Sequence, residues 1–168
     1  ITSSDVVDKP RFHEIWPAIH ELLNNKLVAA HNASFDISVL RQLLDGYRLS
    51  YPDVEFICTY NVARRTWDKQ VSYSLKNIGN HLGYIFNHHN ASDDARICGN
   101  ILVEACTHHN CLSINELVQK IDMQVGVLNE DIYCPCSVSN PYRSIRKGKY
   151  DALNISELAL LDVETVLR

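Results

Sequence analysis

A short apolar run, Leu27-Val28-Ala29-Ala30, gives way almost at once to a helical pattern. From Phe35 to Asp45 the residues Ile37, Val39, Leu40, Leu43 and Leu44 recur every three or four positions, and Gly46 marks the expected stop. A run so short and so apolar reads as a buried strand. A strand that feeds directly into an amphipathic helix constrains the chain to a layered α/β arrangement.

The alternation continues. Pro10 to Asn24 reads as a helix through Phe12, Ile15, Trp16, Ile19, Leu22 and Leu23, with a kink or restart at Pro17. Phe56-Ile57-Cys58-Thr59 is a second strand and Asn61 to Trp67 a further helix. Ser74 is placed to cap a helix carrying Leu75, Ile78 and Leu82 that stops at Gly83. Asp94 to His108 is a helix with Ile97, Ile101, Leu102 and Ala105 on one face, capped by Asp93, and Ile114 to Asp122 can form another. Strands alternating with helices predict a mainly parallel sheet, in which ligands gather beyond the carboxyl ends of the strands.

At 168 residues with 46% hydrophobic and 21% charged composition, the chain can bury a core without disulfides. Its six cysteines are therefore expected to be reduced thiols in a cytoplasmic protein. The net charge of -4 argues against a broad basic surface for non-specific duplex binding, though not against an enzyme that grips a few phosphates through metal ions. No run of 18 apolar residues is present, so no membrane partner is expected. Ile1 is not a methionine, which points to a longer, processed or trimmed gene product.

Two segments spell nearly the same hexapeptide: His31-Asn32-Ala33-Ser34-Phe35-Asp36 and His89-Asn90-Ala91-Ser92-Asp93-Asp94. Each sets a histidine five residues before an aspartate. Aspartate oxygens suit hard cations, and histidine exchanges its proton near neutral pH. The first hexapeptide begins where a strand ends, and the second opens a helix. Together they predict one metal-assisted hydrolytic site assembled from two segments.

The surrounding residues resemble the 3′–5′ exonucleases of the DEDDh class, which include the proofreading epsilon subunit of bacterial DNA polymerase III and its relatives. The run Val28 to Leu40 is similar to their second motif. Phe86-Asn87-His88-His89-Asn90-Ala91-Ser92-Asp93-Asp94-Ala95 is similar to their third, His-x-Ala-x-x-Asp. Ile1 to Asp5 and Trp16-Pro17 look like the family's lead-in, and Ser72-Tyr73-Ser74-Leu75 like the segment between the motifs. The resemblance covers residues 1–110. It implies a ribonuclease H-like α/β fold, with a mixed sheet flanked by helices and with the N-terminal strands absent from this chain. It also implies two divalent cations, Mg²⁺ or Mn²⁺, with Asp36 and Asp94 as metal ligands and His89 as general base. Nucleoside 5′-monophosphates would be released from single-stranded or frayed DNA 3′ ends, with a DNA polymerase subunit as a further partner. Asn32 and Phe35 would line the nucleotide pocket; for Phe35 a place in the core is the alternative. His31 carries no proton-transfer role in the family and would orient its loop. An exoribonuclease of the same superfamily, and an inactive domain that only binds a partner or nucleic acid, are the other readings.

The family's first motif, Asp-x-Glu, is missing and is expected upstream of Ile1. A similar spelling, Asp162-Val163-Glu164, lies at the other end of the chain and reads either as that motif or as part of an amphipathic helix. The expected organisation is an exonuclease domain over 1–110 and a C-terminal extension over 111–168 with a linker at 129–152. The extension includes a basic stretch, Arg143, Arg146, Lys147 and Lys149, and a helical pattern from Asn154 to Arg168. Arg64 and Arg65 read as surface charge or as phosphate contacts. Cys106, His108, His109 and Cys111 lack the pair spacing of zinc sites and read as a helix end.

Overall fold

A computed structural model describes residues 2–138, with side chains described to residue 136. The helical pattern of 154–168, the basic stretch and the Asp162/Glu164 spelling lie outside the described residues. The elements run, in order, α1 (Ser3–Val6), α2 (Phe12–Leu23), β1 (Leu27–Ala30), α3 (Ala33–Tyr47), β2 (Val54–Cys58), α4 (Thr59–Thr66), α5 (Leu75–His81), α6 (Ala91–His109), α7 (Ile114–Lys120), β3 (Met123–Gln124), β4 (Gly126–Leu128), β5 (Tyr133–Cys134) and β6 (Ser137–Val138).

The main sheet has the order β1-β2-β4-β5. Only β1 and β2 are parallel, in register from Leu27 opposite Glu55 to Ala30 opposite Cys58; β4 and β5 are antiparallel to their neighbours. The mainly parallel sheet suggested by strand–helix alternation is thus corrected, while the mixed sheet flanked by helices that the family resemblance implies is the one present. The reason lies in the return of the chain after α7, which lays β4 against β2 in the opposite direction. Gly126 allows this close approach: a Cβ there would overlap the ring of Phe56.

Strand periodicity sorts the core into two halves. Val54, Phe56 and Cys58 pack on one face with Val28, Ala30, Ala33, Ile37 and Leu128, under α3. Ile57, with Leu27 and Ala29, faces the other way into a larger core built from α4 to α7, including Ile78, Ile97, Ile101, Leu102, Leu117 and Val118. Residues 111–128 therefore contribute to the same sheet and core as the residues before them.

Three local expectations meet the structure here. No restart occurs at Pro17: α2 runs through it from Phe12 to Leu23. α3 stops near Gly46 as expected, at Tyr47, where Arg48 takes the left-handed conformation, φ 55°. The helix expected from Asp94 begins three residues earlier, at Ala91, because Asn90 is the cap and its side chain accepts the Asp93 N–H at 3.1 Å. The α5 expectation holds: the Ser74 hydroxyl accepts the Asn77 N–H, and the chain turns away at Gly83, φ +83°.

All six cysteines are free, and Cys58, Cys98, Cys106 and Cys111 are buried. Burial pushes the Cys98, Cys106 and Cys136 thiols up to about 11, so they sit as protonated, inert packing groups. No helix among the described residues is long and apolar enough to cross a membrane.

Candidate active site

Both hexapeptides fold into the same local device. Each places its asparagine at a helix cap, alanine at the first helical position and aspartate at the fourth. Asp36 thereby projects from the first turn of α3, and Asp94 from the first turn of α6. The two helix starts converge on one cleft of about 1020 Å³. Its lining includes His31, Asn32, Phe35 and Asp36 from the first copy, His88, His89 and Asp94 from the second, and Tyr60 from α4. Asn32, Phe35, Asp36, His89 and Asp94, assigned by resemblance to the family's site, all stand at this cleft. Phe35 is 65% exposed, which excludes its place in the core and leaves its ring on the cleft wall.

The position of Asp94 follows from helix periodicity. Asp94, Ile97, Cys98, Ile101 and Ala105 share one stripe of α6, so the aspartate sits at the solvent end of a stripe that is otherwise core. Its carboxylate is held on both oxygens. The His88 ring donates from Nδ1 to Oδ1 at 3.0 Å, and the His89 backbone N–H donates to Oδ2 at 3.2 Å. The His88 and His89 rings stack with centroids 4.0 Å apart and an interplanar angle of 27°. His89 adopts φ +75°, a left-handed conformation uncommon outside glycine and often found at functional sites. Asp93 faces elsewhere: it accepts from the Asn87 N–H and pairs with Arg96 at 2.9 Å.

Asp36 is open to solvent along the cleft, yet the surrounding walls desolvate its carboxyl and push it above the usual carboxylate range, opposed by its own backbone N–H. Such a group gains from an approaching cation. The donor set of Asp36 and Asp94 is oxygen-rich and anionic, as a hard divalent ion requires.

His31 is used differently from its counterpart. Its Nε2 donates to the Tyr73 carbonyl at 2.8 Å, which leaves Nδ1 to accept the Thr59 hydroxyl at 2.9 Å. It ties the end of β1 to the start of α4 and to the loop before α5. Burial pushes its pKa below the ordinary 6.5, with the Tyr73 carbonyl pulling the other way. Folding thus disfavours the proton. Stability from His31 is complete above about pH 6.5 and is lost as pH falls through the lower folded value. Denaturant unfolding at about pH 7.5 and about pH 5 checks this sign: wild type should lose more stability on acidification than His31→Asn does. Equal losses would exclude the assignment.

Sequence reasoning missed His88 and Tyr60. The doubled histidine was the available signal for His88. Tyr60 had none, since it reaches the cleft only because α4 starts at Thr59. Arg64 lies 5.9 Å from the Tyr60 ring, and Arg65 donates to the Ile121 carbonyl at 3.1 Å, so Arg65 is occupied in the fold. Among the described residues, the Cys106 to Cys111 cluster does not bring its side chains to metal-binding distance; His88, His89 and Asp94 do.

The model of a family described as exonuclease, of the RNase T type, matches residues 1–102. The chain is 26% identical over 147 residues to the DNA polymerase III subunit epsilon of Treponema pallidum, covering 79% of this chain and 68% of that protein. It is 33% identical over 134 residues to a PolC-type DNA polymerase III of Clostridium perfringens, of which it spans 8%. It is 28% identical over 105 residues to the epsilon subunit of Aquifex aeolicus, covering 62% of this chain and 52% of that protein. No solved structure matches. The mixed sheet flanked by helices agrees with the ribonuclease H-like fold of such enzymes. By its fold, its paired motifs and its matched residues, the chain belongs to the RNase T exonuclease family, of the DnaQ-like type.

Proposed function

We propose that this protein is a metal-dependent 3′–5′ exonuclease that removes nucleoside 5′-monophosphates from DNA 3′ ends. The observation that carries this reading is the meeting of Asp36, His89 and Asp94 at one cleft from two segments of similar spelling. Asp36 and Asp94 would hold a divalent cation, Mg²⁺ or Mn²⁺, which when bound would supply positive charge to offset that developing on the phosphodiester. His89, exposed at the cleft, takes the proton of the attacking water; a histidine is suited to this near neutral pH. The backbone N–H of the same residue fixes Asp94, so base and ligand move as one unit. Phe35 and Asn32 receive the terminal nucleotide; the cleft is large enough to admit it. A second metal needs more carboxylates than these two. The outer edge of β1 is unpaired among the described residues. A strand bearing the Asp-x-Glu pair would dock there, beside His31. The polymerase III relatives suggest a frayed primer end as substrate and a polymerase subunit as partner.

The test is nucleotide release from a 3′-labelled DNA oligonucleotide with Mn²⁺. His89→Ala should lower the rate by about 10²- to 10⁴-fold, the usual value of a positioned general base. An unchanged rate in the variant, or an inert wild type, would overturn the assignment. A matched RNA oligonucleotide separates the exoribonuclease reading, since the 2′-hydroxyl is the difference to be sensed.

A further inference from the structure

The exonuclease pattern assigns one histidine to this loop, but the structure sets two against the same aspartate. The Nδ1 of His88 stands 3.0 Å from Asp94 Oδ1, and ligand atoms of His88, His89 and Asp94 all lie within 4.8 Å of one another. Two atoms each about 2.1 Å from one tetrahedral ion stand about 3.4 Å apart. The 3.0 Å contact is a hydrogen bond as it stands, and a shift of a few tenths of an ångström separates it from the spacing of two ligands on a shared ion. The stack of the two rings and the left-handed backbone of His89 keep both imidazoles on the Asp94 side of the loop.

We propose that His88, His89 and Asp94 form a nitrogen-rich site that binds a transition ion of the Zn²⁺ or Co²⁺ class in preference to Mg²⁺. Imidazole nitrogens favour such ions, whereas Mg²⁺ keeps to oxygen ligands and its own waters. Coordination needs the Nδ1 lone pair of His88, so the hydrogen that Nδ1 donates to Asp94 passes to Nε2, the other nitrogen of the ring. The site stands on this geometry alone. One consequence rests on the exonuclease reading: while His89 coordinates an ion it cannot accept a proton, so Zn²⁺ silences hydrolysis supported by Mn²⁺.

Titration of the full chain with Co²⁺, followed by visible absorption, tests the site. Wild type should bind Co²⁺ with a spectrum shifted from that of the aqueous ion by nitrogen ligation. Zn²⁺ at equal concentration should displace it, and excess Mg²⁺ should not. His88→Ala should weaken Co²⁺ binding on the order of 100-fold, the upper range found even for groups that only support a metal's ligands. His88→Gln, which keeps the bulk and can still donate to Asp94, should lose binding to the same degree. Equal Co²⁺ affinity in wild type and the folded His88→Gln variant, or ready displacement by Mg²⁺, would overturn the site without touching the exonuclease reading. Normal Co²⁺ binding in a wild type that releases no nucleotide would uphold the site and sink the exonuclease reading. Where nucleotide is released, inhibition by Zn²⁺ should be relieved in His88→Gln; inhibition of equal strength in both proteins would overturn the silencing role.

Discussion

Asp94→Ala should lower Mn²⁺-supported nucleotide release on the order of 1,000-fold. Charge stabilisation by a catalytic cation is worth several kcal/mol, and each 1.36 kcal/mol is tenfold in rate. The loss compounds, because Asp94 is also the anchor of the loop: it accepts the His88 ring at 3.0 Å and the His89 N–H at 3.2 Å. Without it the proposed base, His89, is no longer fixed against the cleft. The neighbouring Asp93 supplies the control. Its carboxylate serves Asn87 and Arg96, not the cleft, and its ion pair is partly exposed. Asp93→Ala should change stability little, because its ion pair is solvent-screened, and leave turnover close to wild type. Single-turnover rates with saturating metal separate the two variants. Comparable losses in both would mean that the order of the helix start carries the effect, and that Asp94 is no ligand.

The largest effect on stability is expected at Ile101→Ala. Ile101 is fully buried on the stripe of α6 that begins at Asp94, and it packs in the larger core with residues of α4, α5 and α7. Truncating a buried isoleucine costs about 2–5 kcal/mol through lost burial and the cavity left behind. Thr107, on the exposed side of the same helix, offers the contrast: Thr107→Ala should stay within about 0.5 kcal/mol of wild type. Urea unfolding followed by circular dichroism should show a lower midpoint for Ile101→Ala with an unchanged slope. A loss below about 1 kcal/mol would mean that α6 is not seated as described. Because this helix also carries Asp94, its seating and the position of the proposed metal ligand are a single property of the core.

Much of this was legible in the chain, for reasons that are local. β1 is where four apolar residues say it is. α5 begins at a serine whose hydroxyl caps it, and the stripe from Ile97 to Ala105 faces the core. Failures occurred where local rules compete. Asp93 and Asn90 are both good caps, and the chain used the earlier one, freeing Asp93 for Arg96. The direction of β4 was beyond reach, since strand periodicity is blind to parallel or antiparallel pairing.

The two hexapeptides mark the division most clearly. The sequence by itself determined that a helix would follow each hexapeptide and that each aspartate would lie near a helix start; the structure set the cap at asparagine in both, so each aspartate leaves from the fourth position. That much follows from capping and helical repeat. Only the tertiary structure decided what the histidines do. In the first copy the left-handed residue is Asn32, φ 67°, and His31 turns inward to Thr59 and Tyr73, partners 28 and 42 residues away. In the second, the left-handed residue is His89 itself, and its ring stays at the cleft, stacked on His88. One backbone conformation, moved by a single residue, separates a structural histidine from a candidate base. That choice depends on which distant groups are present to accept the ring.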